Sequence, residues 1–187
     1  SGLFYKGKVF TCNTIPRYNG KPTLLKDILQ NGQVGEEFFL KDKDLKNPKT
    51  IINSDGSHKI LTTEKDMWDY LKGPKKEKRT TKDGFKYDYG EGRMIFPDAL
   101  DKPSRTVITG EGGVSPSRFK HVILSEKGLR RLTPVELERL NMFPDNHTKL
   151  EGITDAKRAF FMGNALVVGV VEKTGMELYK SIYYGIQ

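Results

Sequence analysis

The segment that most constrains its own conformation runs from Leu132 to Pro144 and reads Leu-Thr-Pro-Val-Glu-Leu-Glu-Arg-Leu-Asn-Met-Phe-Pro. Thr133 is placed as an N-cap and Pro134 as the first helical residue, its φ already set. Glu136, three residues after the cap, can return a hydrogen bond to the N–H of the cap. Leu132 and Leu137 have the spacing of a hydrophobic staple. Phe143-Pro144 then ends the helix near Asn141, because the residue before a proline is pushed out of the helical region. Taken alone, this is also how an ordinary capped surface helix reads. About twenty residues later, however, Phe161 opens a second stretch, Phe-Met-Gly-Asn-Ala-Leu-Val-Val, and the ordered pair says more than either part.

A chain of 187 residues is long enough for one domain or two small ones. Its formal net charge is +8, a balance that favours a polyanionic partner. Lys72, Lys75, Lys76, Lys78, Arg79, Lys82 and Lys86 concentrate that charge, with Trp68, Tyr70, Phe85, Tyr87 and Tyr89 interleaved. Basic residues mixed with aromatics suit nucleic acid, and a solvated lysine loop is the plainer alternative. Cys12 is the single cysteine and reads as a half-buried small residue, so neither a disulfide nor a thiolate zinc site can form within one chain. With no apolar run approaching the ~18 residues of a membrane span, the expectation is a soluble, cytoplasmic protein.

Along the chain, Gly7 to Leu40 reads as loop and turn, including Pro16 to Pro22, around one short helix at Leu24–Leu29. Asn53 to Ser57 is a turn. A helix from Thr63 to Lys72 is capped by Thr63. Arg105–Thr109 and Phe119–Leu124 read as strands joined by the loop Gly110–Pro116. Helices follow at Thr133–Asn141, at Thr154–Met162 with Thr154 as cap, and from Asn164 to about Tyr183, where Asn164 would cap the last one. The fold class is α+β, irregular and strand-rich first, helical last.

The pair of stretches resembles the closing motifs of the DNA (cytosine-5) methyltransferases, approximately R-x-L-T-x-x-E-x-x-R-L-x-G-F-P and then G-N-A-V-x-x-x-V. The match falls at Arg131, Leu132, Thr133, Glu136, Arg139, Leu140, Phe143, Pro144, Gly163, Asn164, Ala165 and Val170. Met142 stands where the family has glycine, and Leu166 where it often has valine. The resemblance implies a target recognition region over residues 1–128 and, over 129–187, closing helices that return to a large Rossmann-like catalytic domain. The marks of that large domain are an F-x-G-x-G loop, a Pro-Cys nucleophile, a Glu-Asn-Val carboxylate and a Gln-x-Arg-x-Arg strand. None of the four occurs in these residues.

The resemblance therefore implies the DNA-recognition portion of a bacterial restriction-modification methyltransferase, either a split subunit or a truncated piece, inactive alone. A catalytic domain or partner chain would bring the cysteine that adds to a flipped cytosine, and S-adenosylmethionine would bring the methyl group. Two glycine-containing segments, Gly90-Glu91-Gly92-Arg93 and Thr109-Gly110-Glu111-Gly112-Gly113 with Arg105 leading in, look like loops that enter the major groove of double-stranded DNA. Glycine lets backbone approach base edges, and Arg93 can fork onto a guanine. Ser115, Ser117, Arg118 and Lys120 are expected on DNA, mostly on phosphate, together with Lys75, Lys76 and Lys78. Asn164 and Ala165 would line part of the S-adenosylmethionine pocket, and Val167, Val170 and Val171 would face the large domain.

Two other readings compete. Pro97-Asp98 with Asp155-Ala156-Lys157 can be forced into a nuclease pattern, although Asp155 is better explained as a first-turn acid behind Thr154. The other is a stand-alone basic DNA-binding module or restriction-modification accessory protein.

Overall fold

The computed structural model describes residues 2–13, 15 and 20–185; Pro16 to Asn19, read above as part of a turn region, lie outside it. A hairpin of β1 (Gly2–Tyr5) and β2 (Lys8–Thr11) is followed by short 3-10 helices at Leu25–Ile28 and Glu36–Phe38. Then come hairpin β3 (Asp44–Ile52) and β4 (His58–Thr63), helix α1 (Glu64–Lys72) and hairpin β5 (Lys75–Thr80) and β6 (Lys86–Glu91). A long irregular stretch leads to hairpin β7 (Val122–Ser125) and β8 (Gly128–Arg131), and the chain closes with helices α2 (Pro134–Leu140), α3 (Asp155–Asn164) and α4 (Val168–Tyr183). The α+β class holds. Among the described residues the strands are all antiparallel, in four two-stranded ribbons.

A lone ribbon is marginal in water, so each must be held by something else. For β3–β4 it is α1, which follows β4 without a break. Thr63 caps α1 by accepting from Asp66 N–H at 3.1 Å, while the Asp66 carboxylate takes the Thr63 N–H at 3.1 Å. Leu61 and Trp68 are buried, and the indole lies parallel to Phe96 at 6.4 Å. The turn from Asn53 to Ser57 is as expected, closed by Asp55 accepting from the Ser57 N–H and hydroxyl.

The main core draws on distant parts of the sequence. Leu25 and Ile28 from the first 3-10 helix, Ile123 from β7, Leu132 and Leu137 around the start of α2, and Ala159 and Met162 from α3 form one cluster. The staple pair Leu132 and Leu137 thus ends up in the interior. Thr133 caps α2 as the sequence dictates, and Thr154 caps α3 by accepting from Lys157 N–H at 3.3 Å.

Several expectations need correction. The N-terminal region expected as loop carries β2, and β1, β3, β4, β5, β6 and β8 also lie outside the expected strands. Arg105–Thr109 forms no strand, because β7 pairs with β8 and leaves no partner for it; Val107 instead packs against the core. The strand expected at Phe119 begins only at Val122. Before it, the carbonyls of Phe119 and Lys120 accept from the Arg105 guanidinium at 3.0 and 3.2 Å, and Lys120 O also accepts from Lys72 Nζ at 2.5 Å. Cys12 is exposed, not half-buried, because it follows directly on the β1–β2 hairpin, every residue of whose strands is exposed. Finally, α3 runs through Asn164 and α4 starts only at Val168, so Asn164 ends one helix and does not cap the next. Its amide donates backward to Phe160 O at 3.0 Å.

Candidate nucleic-acid interface

Around α2, the closing motif is a set of buried ions, each satisfied. Glu136, fully buried, accepts from both Nη1 and Nη2 of Arg130 at 2.8 and 2.7 Å, from the cap's N–H at 2.9 Å and from Gln30 N–H at 3.1 Å. Glu138, equally buried, accepts from Arg158 at 3.0 Å, from the Thr148 N–H at 3.0 Å and from the Thr148 hydroxyl. Burial alone pushes the Glu138 carboxyl up, but the Thr148 donors and the Arg158 guanidinium outweigh it and hold the group below the usual carboxylate range. Arg139 reaches back to the carbonyls of Ile28 and Leu29 at 3.1 and 2.9 Å, which ties α2 to the first 3-10 helix.

Arg131 leaves this cluster. Its guanidinium donates to the carbonyls of Gly112 and Gly113 at 3.2 and 3.3 Å and to Glu37 O at 2.6 Å, so a motif residue holds the second glycine segment in place. Lys120 joins it, with Nζ donating to Gly113 O at 2.7 Å and Ser115 O at 2.6 Å. Burial lowers the pKa of Lys120 and of Arg131, and both carbonyl sets face the cations as a solvent would. Glu111 anchors the same segment from below: its carboxylate accepts from His121 N–H at 2.9 Å and lies 2.8 Å from His121 Nδ1. Ser104 Oγ stands 3.0 Å from His121 Nε2 and 2.9 Å from Arg105 O, so Ser104, His121 and Glu111 form a row that ties three segments together.

Glycine has a packing duty here as well. A Cβ on Gly112 would lie 2.6 Å from Ala156 Cα, and one on Gly163 would lie 2.3 Å from Thr109 N. The second segment and α3 therefore interlock through two bare backbones. Thr109, Gly113 and Ser115 remain exposed, and Ser117 half-buried. Arg105 forks onto Asp98 at 2.7 and 3.1 Å, and Asp98 also takes Val122 N–H at 2.8 Å. Of the two carboxylates of the nuclease pattern, Asp98 is thus committed to Arg105, and Asp155 lies 3.4 Å from Arg158.

The first glycine segment falls at the end of β6. Arg93 is exposed, whereas Glu91 lies between Lys75 and Arg118, 2.8 Å from Arg118 Nε. Gly92 is open, with nothing within 4 Å of an added Cβ. The lysine-rich stretch is a hairpin, not a loop, and its pleat sorts the charges. Lys75 faces Glu91 and Glu77 faces Tyr89 on the inner side; Lys76, Lys78 and Lys86 share the outer side and are exposed. Arg79 lies over Tyr89 at 3.4 Å, and Tyr70, whose hydroxyl donates to Glu77 at 2.6 Å, is raised by burial and that carboxylate to about 12. Lys72 is fully buried beside Trp68 and Phe96, and burial lowers it to about 8. Lys72 and Lys75, expected with the basic residues that meet nucleic acid, are thus buried; the i,i+4 spacing of Lys72 from Trp68 and the strand alternation of Lys75 with Glu77 are the sequence signals for it.

Past α3, Asn141 links the closing elements: its amide donates to Met162 O at 2.8 Å and its carbonyl accepts from Val168 N–H at 2.9 Å. Met142 holds φ at +62°, the left-handed conformation for which glycine is suited. Its thioether covers Gly169, where an added Cβ would fall 2.6 Å from Sδ. Between these elements opens a largely apolar cleft of about 1010 Å³, lined among others by Val107, Met142, Gly163, Ala165, Val170 and Val171. Asn164, exposed, lies between two lining residues. Helix α4 continues beyond with Met176, Leu178, Ile182 and Tyr183 all exposed.

Buried motif ions, a clamped glycine segment and a basic ribbon thus lie on one chain. The description of C-5 cytosine-specific DNA methylases matches residues 9–180, and the chain belongs to that family. It is 38% identical over 180 residues to the type II methyltransferase M.Sau3AI of Staphylococcus aureus, an alignment that takes in 96% of this chain and 37% of the relative. The chain thus spans little more than a third of that relative's length. Methyltransferases of this family use S-adenosylmethionine. No helix among the described residues is long and apolar enough to cross a membrane.

Proposed function

We propose that this chain is the DNA-recognition portion of a C-5 cytosine DNA methyltransferase, holding a double-stranded target so that a methyl group passes from S-adenosylmethionine to C5 of a cytosine. The nucleophilic cysteine comes from a catalytic portion outside this sequence or from a partner chain. The observation that carries this reading is Arg131. A residue of the family motif spends its guanidinium on the backbone of the second glycine segment, as is needed if that segment must enter a groove in one fixed shape.

The residues divide by exposure. Arg93, Thr109, Gly113, Ser115 and Ser117 are the candidates for DNA contact, Arg93 and the segment at Thr109 and Gly113 for bases, Ser115 and Ser117 mainly for phosphate. Lys76 and Lys78 grip phosphate from the outer side of the β5–β6 ribbon. Arg105, Glu111, Gly112, Arg118, Lys120, Lys75 and Glu91 serve by shaping the surface that the first group presents. A base-flipping enzyme needs the duplex held from both sides, and this chain supplies one side. S-Adenosylmethionine, when bound, supplies the methyl. Asn164 and Ala165, an exposed carboxamide and a small side chain beside an apolar cleft, suit one wall of its site. The exposed apolar face of α4 and the cleft residues Val167, Val170 and Val171 would rest on the catalytic portion, burying surface that is costly to leave in water.

Tritium transfer from S-adenosylmethionine to DNA tests the division of labour. The purified chain alone should transfer nothing, and adding the catalytic portion should start the reaction. Transfer by the chain alone would contradict the reading.

A further inference from the structure

Two segments that both meet DNA must keep a fixed register. Successive bases on a strand are ~3.4 Å apart, so a slip of that size moves a reading side chain to the wrong base. In this fold no sheet supplies the register, because β6 pairs only with β5 and β7 only with β8. Among the described residues, the direct hydrogen bonds between segment 90–93 and segment 109–118 all belong to one side chain, Arg118. Its Nη2 donates to Gly92 O at 2.7 Å and its Nε pairs with Glu91 at 2.8 Å, while Nη1 donates to Leu71 O at 2.9 Å. Leu71 O also accepts from Lys75 Nζ at 3.1 Å, so two cations meet the negative end of α1, and Lys75 returns to Glu91. The Arg118 side chain is only 14% exposed and Lys75 only 4%, which removes both from a phosphate-binding surface.

We propose that Arg118 is a positioning residue for sequence readout, locking the two DNA-reading segments to each other and to the end of α1 through Glu91. The proposal rests on the recognition role argued above. A planar fork is required, because one group must serve two carbonyls and a carboxylate in different directions. Removing it should let both segments drift together, so base discrimination should narrow at positions read by each.

The test uses the complete methyltransferase and a panel of duplexes carrying the cognate site or a single changed base pair, with kcat and KM measured for each. For Arg118→Ala, discrimination should fall roughly ten- to a hundred-fold, the loss expected from misplacement on the scale of an ångström, and at more than one base position. Arg118→Lys should recover only part of it. Glu91→Gln, which keeps the shape and loses the charge, should cause a smaller fall at the same positions, and it carries the test if Arg118→Ala does not fold. Unchanged discrimination in Arg118→Ala, or in Glu91→Gln where that variant stands in, overturns the proposal. So does loss at one base position only, which marks a base contact, and so does a salt slope reduced by about one, which marks a phosphate contact. If the unaltered enzyme shows no sequence preference at all, the recognition role itself fails, a result distinct from the others.

Discussion

Lys72 shows what a single buried charge does to this fold. Its ammonium donates to Lys120 O between two aromatic rings, and burial lowers its pKa from 10.5 to about 8, against the opposing pull of Asp98. Below pH 8 both folded and unfolded chains carry the proton, and the folded one bears the whole cost of the buried charge. Between about pH 8 and 10.5 the folded chain holds fewer protons than the unfolded, so stability from this group rises with pH, by roughly 1–3 kcal/mol in total. Urea unfolding at pH 7.5 and pH 10 should therefore show the native chain gaining relative to Lys72→Met; parallel changes would contradict this. Such roles were not legible in the sequence. The capping boxes at Thr63 and Thr133 were, because cap and partner lie three residues apart. Arg118, Arg131 and Arg139 each reach a carbonyl, 47, 94 and 111 residues away respectively, and a carbonyl leaves no mark in a sequence.

At the scale of elements, the contact between the second glycine segment and α3 is set by what is missing. An added methyl at Gly163 would stand 2.3 Å from the Thr109 backbone, where neither side can yield. Gly163→Ala should lower stability by about 1–3 kcal/mol, as overpacking does, while Gly92→Ala, in open space, should stay within about 0.5 kcal/mol. Equal melting temperatures for the two variants would deny the interlock. The β5–β6 ribbon divides its lysines in the same way. Replacing Lys76 and Lys78 by Ala should reduce the slope of log affinity against log salt by about 2, at ~0.9 per phosphate contact. An unchanged slope would make the outer face a merely solvated one. The helices were legible because their caps and apolar spacing are local. Strands β3 to β6 were not, since Lys, Asp and Glu on ribbons wet on one side hide the alternation, and their burial comes from α1 and from ion pairs formed across turns. The break at Ala165 to Val167 was hidden too, because Val168, Val170 and Val171 continue a pattern that reads equally as helix or strand.

At the scale of the whole molecule, the core unites Leu25 and Ile28 with Ala159 and Met162, so an early segment and a late helix of the chain share one core around α2. From that core three surfaces emerge: the two glycine segments, the basic ribbon, and the apolar cleft with α4. The motif residues were enough to name the family from the sequence, while the exposure of Arg93 and the burial or ion pairing of Lys75, Glu111, Arg118 and Lys120 became visible only in the fold. Arg93 is where these surfaces make their sharpest claim, being exposed beside a glycine held by Arg118. A bidentate arginine–guanine pair is worth ~1–3 kcal/mol of discrimination. The most direct measurement is methylation of cognate and random-sequence duplexes by the complete enzyme with Arg93→Ala. A roughly ten- to hundred-fold loss is expected on the cognate site alone, with non-specific affinity nearly intact and Arg93→Lys an incomplete rescue. Equal weakening on cognate and random DNA would contradict it, making Arg93 a phosphate contact and leaving base reading to the segment from Thr109 to Ser117.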